Sequence, residues 1–146
     1  LTKSCDELLE EGKFHDIPYM IGSTKDELFS KDIALKIAAS TYGFAYLQSY
    51  LHTQPVYVYY FEKDLPGDDS GAFHSGELWY EFGTLQRAWR PFDQKDEILS
   101  NKMVTYWSEF IKKGDPNHLD LPAWPRWSEM DKNILVLNDE IKLKQD

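Results

Sequence analysis

One six-residue run constrains this chain more than any other segment. Val56-Tyr57-Val58-Tyr59-Tyr60-Phe61 consists wholly of β-branched and aromatic residues, the types that fill a pleated, packed surface. It shows no polar–apolar alternation, so it predicts a strand covered on both faces, as the strands of a parallel sheet are. Ile17-Pro18-Tyr19-Met20-Ile21-Gly22 is a second short apolar run, closed by glycine, and reads the same way. Between them, Asp32 to Leu51 carries Ile33, Ala34, Ile37, Ala38, Ala45 and Leu47 at helical spacing, with Gly43 weakening the middle.

The rest of the chain fits an α/β order. Ser4 to Gly12 predicts a short helix with Ser4 as N-cap, Glu7 completing a capping box and Gly12 as terminator. Asp93 to Lys113 predicts a long amphipathic helix in which Leu99, Met103, Tyr106, Trp107, Phe110 and Ile111 share a face, stopped by Gly114 and Pro116. Ile134–Leu137 and Ile141–Leu143 flank Asn138-Asp139 and predict a terminal hairpin. Helices alternating with strands define an α/β class, a mostly parallel sheet flanked by helices. With 146 residues the chain has the length of one ordinary domain.

Composition narrows the function. Sixteen basic against 25 acidic residues leave a net charge of −9, which counts against nucleic acid and anionic lipid as partners. Hydrophobic residues at 42% exclude a disordered chain, and the longest apolar run is strand-sized, too short to span a membrane. Cys5 is alone, so neither an internal disulfide nor a cysteine metal site is expected. The amino terminus has no apolar leader segment, and a start without Met leads to the expectation of a chain trimmed, processed or cut from a longer one.

Two loops can carry chemistry, because ligands of open α/β sheets bind outside the carboxyl ends of the strands. Gly22-Ser23-Thr24-Lys25-Asp26-Glu27 follows the first strand, and Gly71-Ala72-Phe73-His74-Ser75-Gly76-Glu77 lies beyond the second. A carboxylate and a histidine on neighbouring strand ends supply two thirds of a nucleophile–base–acid relay. The plainer alternatives are a solvated loop acid at Glu27 and a capping or packing histidine at His74. Glu77 stands three residues after His74 and is expected to support the loop by hydrogen bonding. A metal pair of the two lacks a further ligand at metal spacing. His15, His52 and His118 read as surface histidines, the Asp6–Glu11 and Asp64–Asp69 acids as solvated faces, and Cys5 as half-buried. Trp79, Tyr80, Phe82, Trp89, Trp107, Trp124 and Trp127 read mostly as packing, with Phe73 placed to touch a substrate.

Four stretches of words are more specific than these spacings. Ile17 to Glu27 resembles the strand and acid loop of the type-B carboxylesterase family, which includes the cholinesterases. Gly71 to Gly83 resembles that family's histidine loop and following helix. Asn101 to Asn117 is similar to its carboxyl-terminal helix and Gly-Asp-Pro-Asn stop, and Leu121-Pro122-Ala123-Trp124-Pro125 to the turn that follows. The resemblance implies the carboxyl-terminal portion of an α/β-hydrolase fold over residues 1–146 and a serine hydrolase of small-molecule carboxylic esters, without cofactor or metal. It places the acid on Glu27 and the histidine on His74.

Three departures accompany the resemblance. Leu28 stands where the family has glycine after the acid. Only Leu28 to Lys31 separates Glu27 from the helix at Asp32, which leads to the expectation of residues missing near 29–32. No Gly-x-Ser-x-Gly elbow is present, so the serine and oxyanion hole are expected from an amino-terminal segment of the same esterase, this chain's partner, and the isolated chain is expected to be inactive. The alternative reading is a non-catalytic cholinesterase-like domain used for protein interaction.

Overall fold

The computed structural model describes residues 3–145. Its elements run α1 (Cys5–Glu10), β1 (Tyr19–Thr24), α2 (Lys31–Leu51), β2 (Val56–Phe61), α3 (Leu78–Glu81), α4 (Gln94–Lys113), β3 (Asn133–Leu137) and β4 (Lys142–Gln145). The strands form one sheet in the order β1-β2-β3-β4. β1, β2 and β3 are parallel, and β4 returns antiparallel on β3 as the expected hairpin, Leu135 facing Leu143.

Alternation along the strands sorts the core into two layers. Val56, Val58 and Ile134 face α2 and pack with Ala45 and Trp127. Tyr57, Phe61, Leu135 and Leu137 face the other way and pack with Tyr80 of α3 and with Leu99, Met103 and Tyr106 of α4. The all-apolar β2 is therefore explained by helices on both sides.

Trp124, fully buried, anchors the larger layer. Its indole N–H donates to the Val58 carbonyl at 3.1 Å, and the rings of Tyr57, Tyr59, Tyr106 and Trp107 surround it. The Gly-Asp-Pro-Asn stop holds it in place. Gly114 ends α4 in the left-handed region at φ 72°, a conformation that favours glycine. Asn117 then clasps the Trp124 backbone, accepting its N–H at 2.7 Å and donating to its carbonyl at 2.9 Å.

Local capping follows the sequence. Ser4 and Glu7 form the capping box of α1, and Asp93 caps α4 in a second box with Asp96. Several expectations are corrected. β1 runs through Gly22 to Thr24 instead of stopping at the glycine. An edge strand among the described residues, it is only half-buried until Ser23. α2 buries Thr41, Ala45 and Gln48, while Ile33 in its first turns is exposed. Ile111 leaves the α4 face and is 80% exposed, since it sits one residue, or 100°, past Phe110. Cys5 is exposed, and His52 is largely covered, its ring edge-on to Phe14. Trp89 and Phe82 stand in solvent.

Gly22 continues the strand because it lies opposite Tyr59 in the register. A Cβ at position 22 would sit 2.4 Å from the Tyr59 ring, inside any van der Waals contact. Gly22→Ala is therefore expected to destabilise the fold by about 1–3 kcal/mol, the range for overpacking. Urea unfolding checks it, and the loss should shrink in a Tyr59→Val background, a double-mutant cycle that isolates this contact.

Candidate active site

Parallel pairing sets both loops at the same end of the sheet. The pairing of β1 with β2 ends at Thr24 and Phe61. It is extended by Lys25 N–H to the Phe61 carbonyl at 2.9 Å and Asp26 N–H to the Ala72 carbonyl at 3.0 Å. The acid loop and the histidine loop thus leave the sheet side by side.

The two residues singled out from the sequence meet there. His74 Nδ1 lies 2.5 Å from Glu27 Oε2. The other carboxylate oxygen, Oε1, accepts the Thr24 N–H at 3.0 Å. An imidazole that carries its proton on Nδ1 would donate it to this oxygen and keep Nε2 as the acceptor nitrogen. Glu27 is 4% exposed, whereas over half of the His74 side chain is accessible. One partner is fixed and dry, and the other faces outward.

The backbone around the pair is strained in two places. Leu28 has φ 48° and ψ 31°, the left-handed region that glycine enters freely and leucine at a cost of about 1–2 kcal/mol. The departure from glycine at this position therefore leaves a path glycine could follow. Ser75, next to His74, has φ 66°. Glu27–Phe29 form a single 3₁₀ turn, and Ser30 caps α2 immediately, accepting the Ile33 N–H at 3.4 Å.

Further acids lie beneath the histidine loop, and the sequence reading gave Glu77 only a supporting role. Burial pushes the Glu77 carboxyl up, aided by the nearby Glu27 charge and opposed by its own backbone N–H and by His74. Its Oε2 is buried without a hydrogen-bond partner, so the expected support of the loop by side-chain hydrogen bonding is not made through that oxygen. Glu81 is pushed up to about 7, first by burial and then by Glu77, against a hydrogen bond from Tyr59. The Tyr59 hydroxyl, in turn, is raised above its ordinary range mainly by burial. Glu81 and Tyr59 carry no sequence signal, because nothing local links positions 59 and 81.

Other expectations change at the periphery. Asp68 is not a free solvated acid. Arg90 grips it with two hydrogen bonds of 2.8 and 2.9 Å, and this holds its carboxyl down at about 2. The same guanidinium stacks over Phe73 at 5.0 Å, and Phe73 packs edge-on against Trp79. A hollow of about 540 Å³ lined by Leu85, Arg90, Phe92 and Ser100 includes neither Glu27 nor His74. Among the described residues no three His, Cys, Asp or Glu side chains group as metal ligands, and no helix is long and apolar enough to cross a membrane.

Comparisons with known proteins bear on the family and the fold. The Carboxylesterase family profile matches residues 29–146, a span that includes His74 and begins two residues after Glu27. Carboxylesterase 4A of Bos taurus is 32% identical over 122 residues, covering 74% of this chain and 21% of that protein. Phenmedipham hydrolase of Pseudarthrobacter oxydans is 35% identical over 96 residues, 60% of this chain and 19% of its own length. A PNB esterase structure superposes with a TM-score of 0.82 at 23% identity, covering 97% of this chain and 38% of that one. A thermophilic PNB esterase gives 0.77 at 25% identity over the same shares. The chain belongs to the carboxylesterase family, and its fold is that of the carboxyl-terminal part of an α/β-hydrolase. It spans about a fifth of the length of the curated relatives it matches.

The Glu81 carboxyl gives a signed pH dependence. It binds its proton more tightly folded, at about 7, than in an unfolded chain near the ordinary 4.5. Between those values the native state holds a proton that the unfolded state has released, so stability falls as pH rises. The loss is on the order of 2 kcal/mol after allowance for partial solvent access. Glu81→Gln is expected to flatten this slope, as read from urea midpoints at pH 5 and pH 8.

Proposed function

We propose that this chain is the carboxyl-terminal part of a serine carboxylic-ester hydrolase and supplies the acid and the histidine of a Ser-His-Glu triad. The observation that carries this reading is the bond between buried Glu27 and the outward-facing His74. Family membership and the esterase names among the relatives support it. The serine and the oxyanion hole come from an upstream segment of the same protein, and the substrate is a small carboxylic ester.

In this mechanism His74 Nε2 takes the proton of the serine hydroxyl as its oxygen attacks the ester carbonyl. Glu27 holds the ring in the tautomer that leaves Nε2 basic, and its charge stabilises the imidazolium. His74 then hands the proton to the departing alcohol, leaving an acyl-serine. Water, deprotonated by the same nitrogen, releases the acid and restores the serine. The alternative of a non-catalytic interaction domain does not call for the ring and carboxylate to be in register.

The isolated chain is expected to leave p-nitrophenyl esters at the buffer rate, since it has nothing to acylate. Joined to its upstream segment it is expected to turn them over. In that complete enzyme Glu27→Gln should cut kcat roughly 10³–10⁴-fold, the scale for losing the orienting acid of such a relay. Robust turnover by the chain alone sinks the proposal.

Assembly follows from the sheet. β1 is an edge strand in the described residues, and an open parallel edge is one that proteins normally cover. Leu35 and Tyr50 of α2 stand 69% and 70% exposed on the flanking helix. The upstream segment is expected to continue the sheet at β1 and to bury more than roughly 2,000 Å² in total. Expressed alone, the chain should aggregate or bind a hydrophobic dye. A monodisperse monomer with cooperative thermal unfolding would refute this.

A further inference from the structure

Asp26 precedes Glu27, yet the two carboxylates do different things. Glu27 reaches the ring. Asp26 Oδ2 instead accepts the Ala72 N–H at 2.9 Å, while the Asp26 N–H donates to the Ala72 carbonyl at 3.0 Å. Asp26 also pairs with Phe73 as an isolated parallel bridge. Apart from the Glu27–His74 bond, these are the hydrogen bonds that tie the two loops directly among the described residues. They grip a fully buried Ala72, two residues before His74.

The histidine loop is shaped to admit that carboxylate. Gly71 has φ 66°, and a Cβ there would lie 2.3 Å from Asp26 Oδ2. Lys25 Nζ stands 3.8 Å from the same oxygen and bonds Asp64 Oδ1 at 2.6 Å, so the strap leading into the loop is tied to the acid loop as well. Beyond Ala72 the chain turns at once, the Gly76 N–H closing on the Phe73 carbonyl at 2.9 Å. His74 sits at the tip of this turn with little slack between it and the grip on Ala72.

We propose that Asp26 is a positioning residue for His74, latching the histidine loop to the acid loop through the Ala72 N–H so that the ring meets Glu27. Its catalytic meaning rests on the triad reading above, but the latch itself is a property of this chain. The acceptor oxygen does the work, and an asparagine amide oxygen can take its place.

The test uses the full-length protein that contains this segment. It compares wild type with Asp26→Asn, Asp26→Ala and Gly71→Ala. Two quantities are read: kcat and KM for p-nitrophenyl acetate, and the low-field proton resonance of the His74 Nδ1–H. Asp26→Ala and Gly71→Ala should lower kcat about 10–100-fold at little-changed KM, the cost of roughly an ångström of misplacement. Both should also lose the resonance to solvent exchange. Asp26→Asn should stay within about threefold of wild type and keep the resonance.

Wild-type kcat and resonance in a folded Asp26→Ala overturn the proposal, and so does an Asn variant as damaged as Ala. Should the Ala variant not fold, the folded Asn variant decides by the same two readings. A wild type without esterase activity whose resonance still responds to Asp26→Ala keeps the latch and refutes the triad reading. An active wild type with an unresponsive resonance does the reverse.

Discussion

The parallel pairing of β1 with β2 is the constraint on which the site depends. Because the strands run in the same direction, both carboxyl ends open at one edge, and residues far apart in sequence leave the sheet as neighbours. The register decides whether they meet. A slip by one residue would invert the faces of β1, turning Tyr19 and Ile21 away from the α2 layer and Met20 away from the α4 layer. The fit of Gly22 under the Tyr59 ring opposes such a slip, since a residue with a side chain at that level would collide with it. Glu27 and His74 meet at 2.5 Å as the end product of that fit.

The second half of the chain acts as a buttress for the first. α4 is capped at both ends, and its stop leads straight into the clasp of Asn117 on Trp124. Through the indole bond to Val58, that clasp reaches the middle of β2. The Tyr106 hydroxyl secures the same turn at the Pro122 carbonyl. Arg90, entering from the segment before α4, reaches back to Asp68 and the Pro66 carbonyl. The loop between β2 and His74 is thereby held at both ends, by Arg90 near its start and by Asp26 near its close. Rigid support at two points is what a residue on a loop needs if its ring is to stay in one orientation.

What the sequence disclosed and what it hid divide along the range of the interactions. The β-branched and aromatic run at 56–61, the capping box of α1, the glycine stop of α4 and the hairpin are written in neighbouring residues, and each took its expected form. Glu27 and His74 were legible through family words and strand ends, not through any pattern linking positions 27 and 74. Contacts between distant residues left no local trace: the Arg90–Asp68 grip, the Tyr59–Glu81 bond and the Asp26–Ala72 latch. Gly22 misled for the same reason. Read locally, a glycine closes a strand, while in the fold it makes room for a ring on the next one. Ile111 and the first turns of α2 misled because helical periodicity marks an apolar stripe without saying how far the neighbouring surface extends to cover it.

Three buried or half-buried carboxylates, Glu27, Glu77 and Glu81, lie close enough to act on the Tyr59 hydroxyl, and burial alone does not distinguish their roles. Hydrogen-bond supply does. Glu27 has a donor at each oxygen, the Thr24 N–H and the His74 ring, so its charge is matched and its orientation fixed. Glu81 has one donor in Tyr59 and a like charge nearby, and its carboxyl rises to about 7. Glu77 has a buried oxygen with no partner, and a buried carboxylate short of donors is costly to ionise. A carboxylate that must hold an imidazole by accepting its proton-bearing nitrogen needs to remain an acceptor throughout. Of the three, Glu27 alone combines that matched environment with reach to the ring. The position of the Thr24 N–H at the last residue of β1 is therefore as much part of the site as the two side chains it helps to bring together.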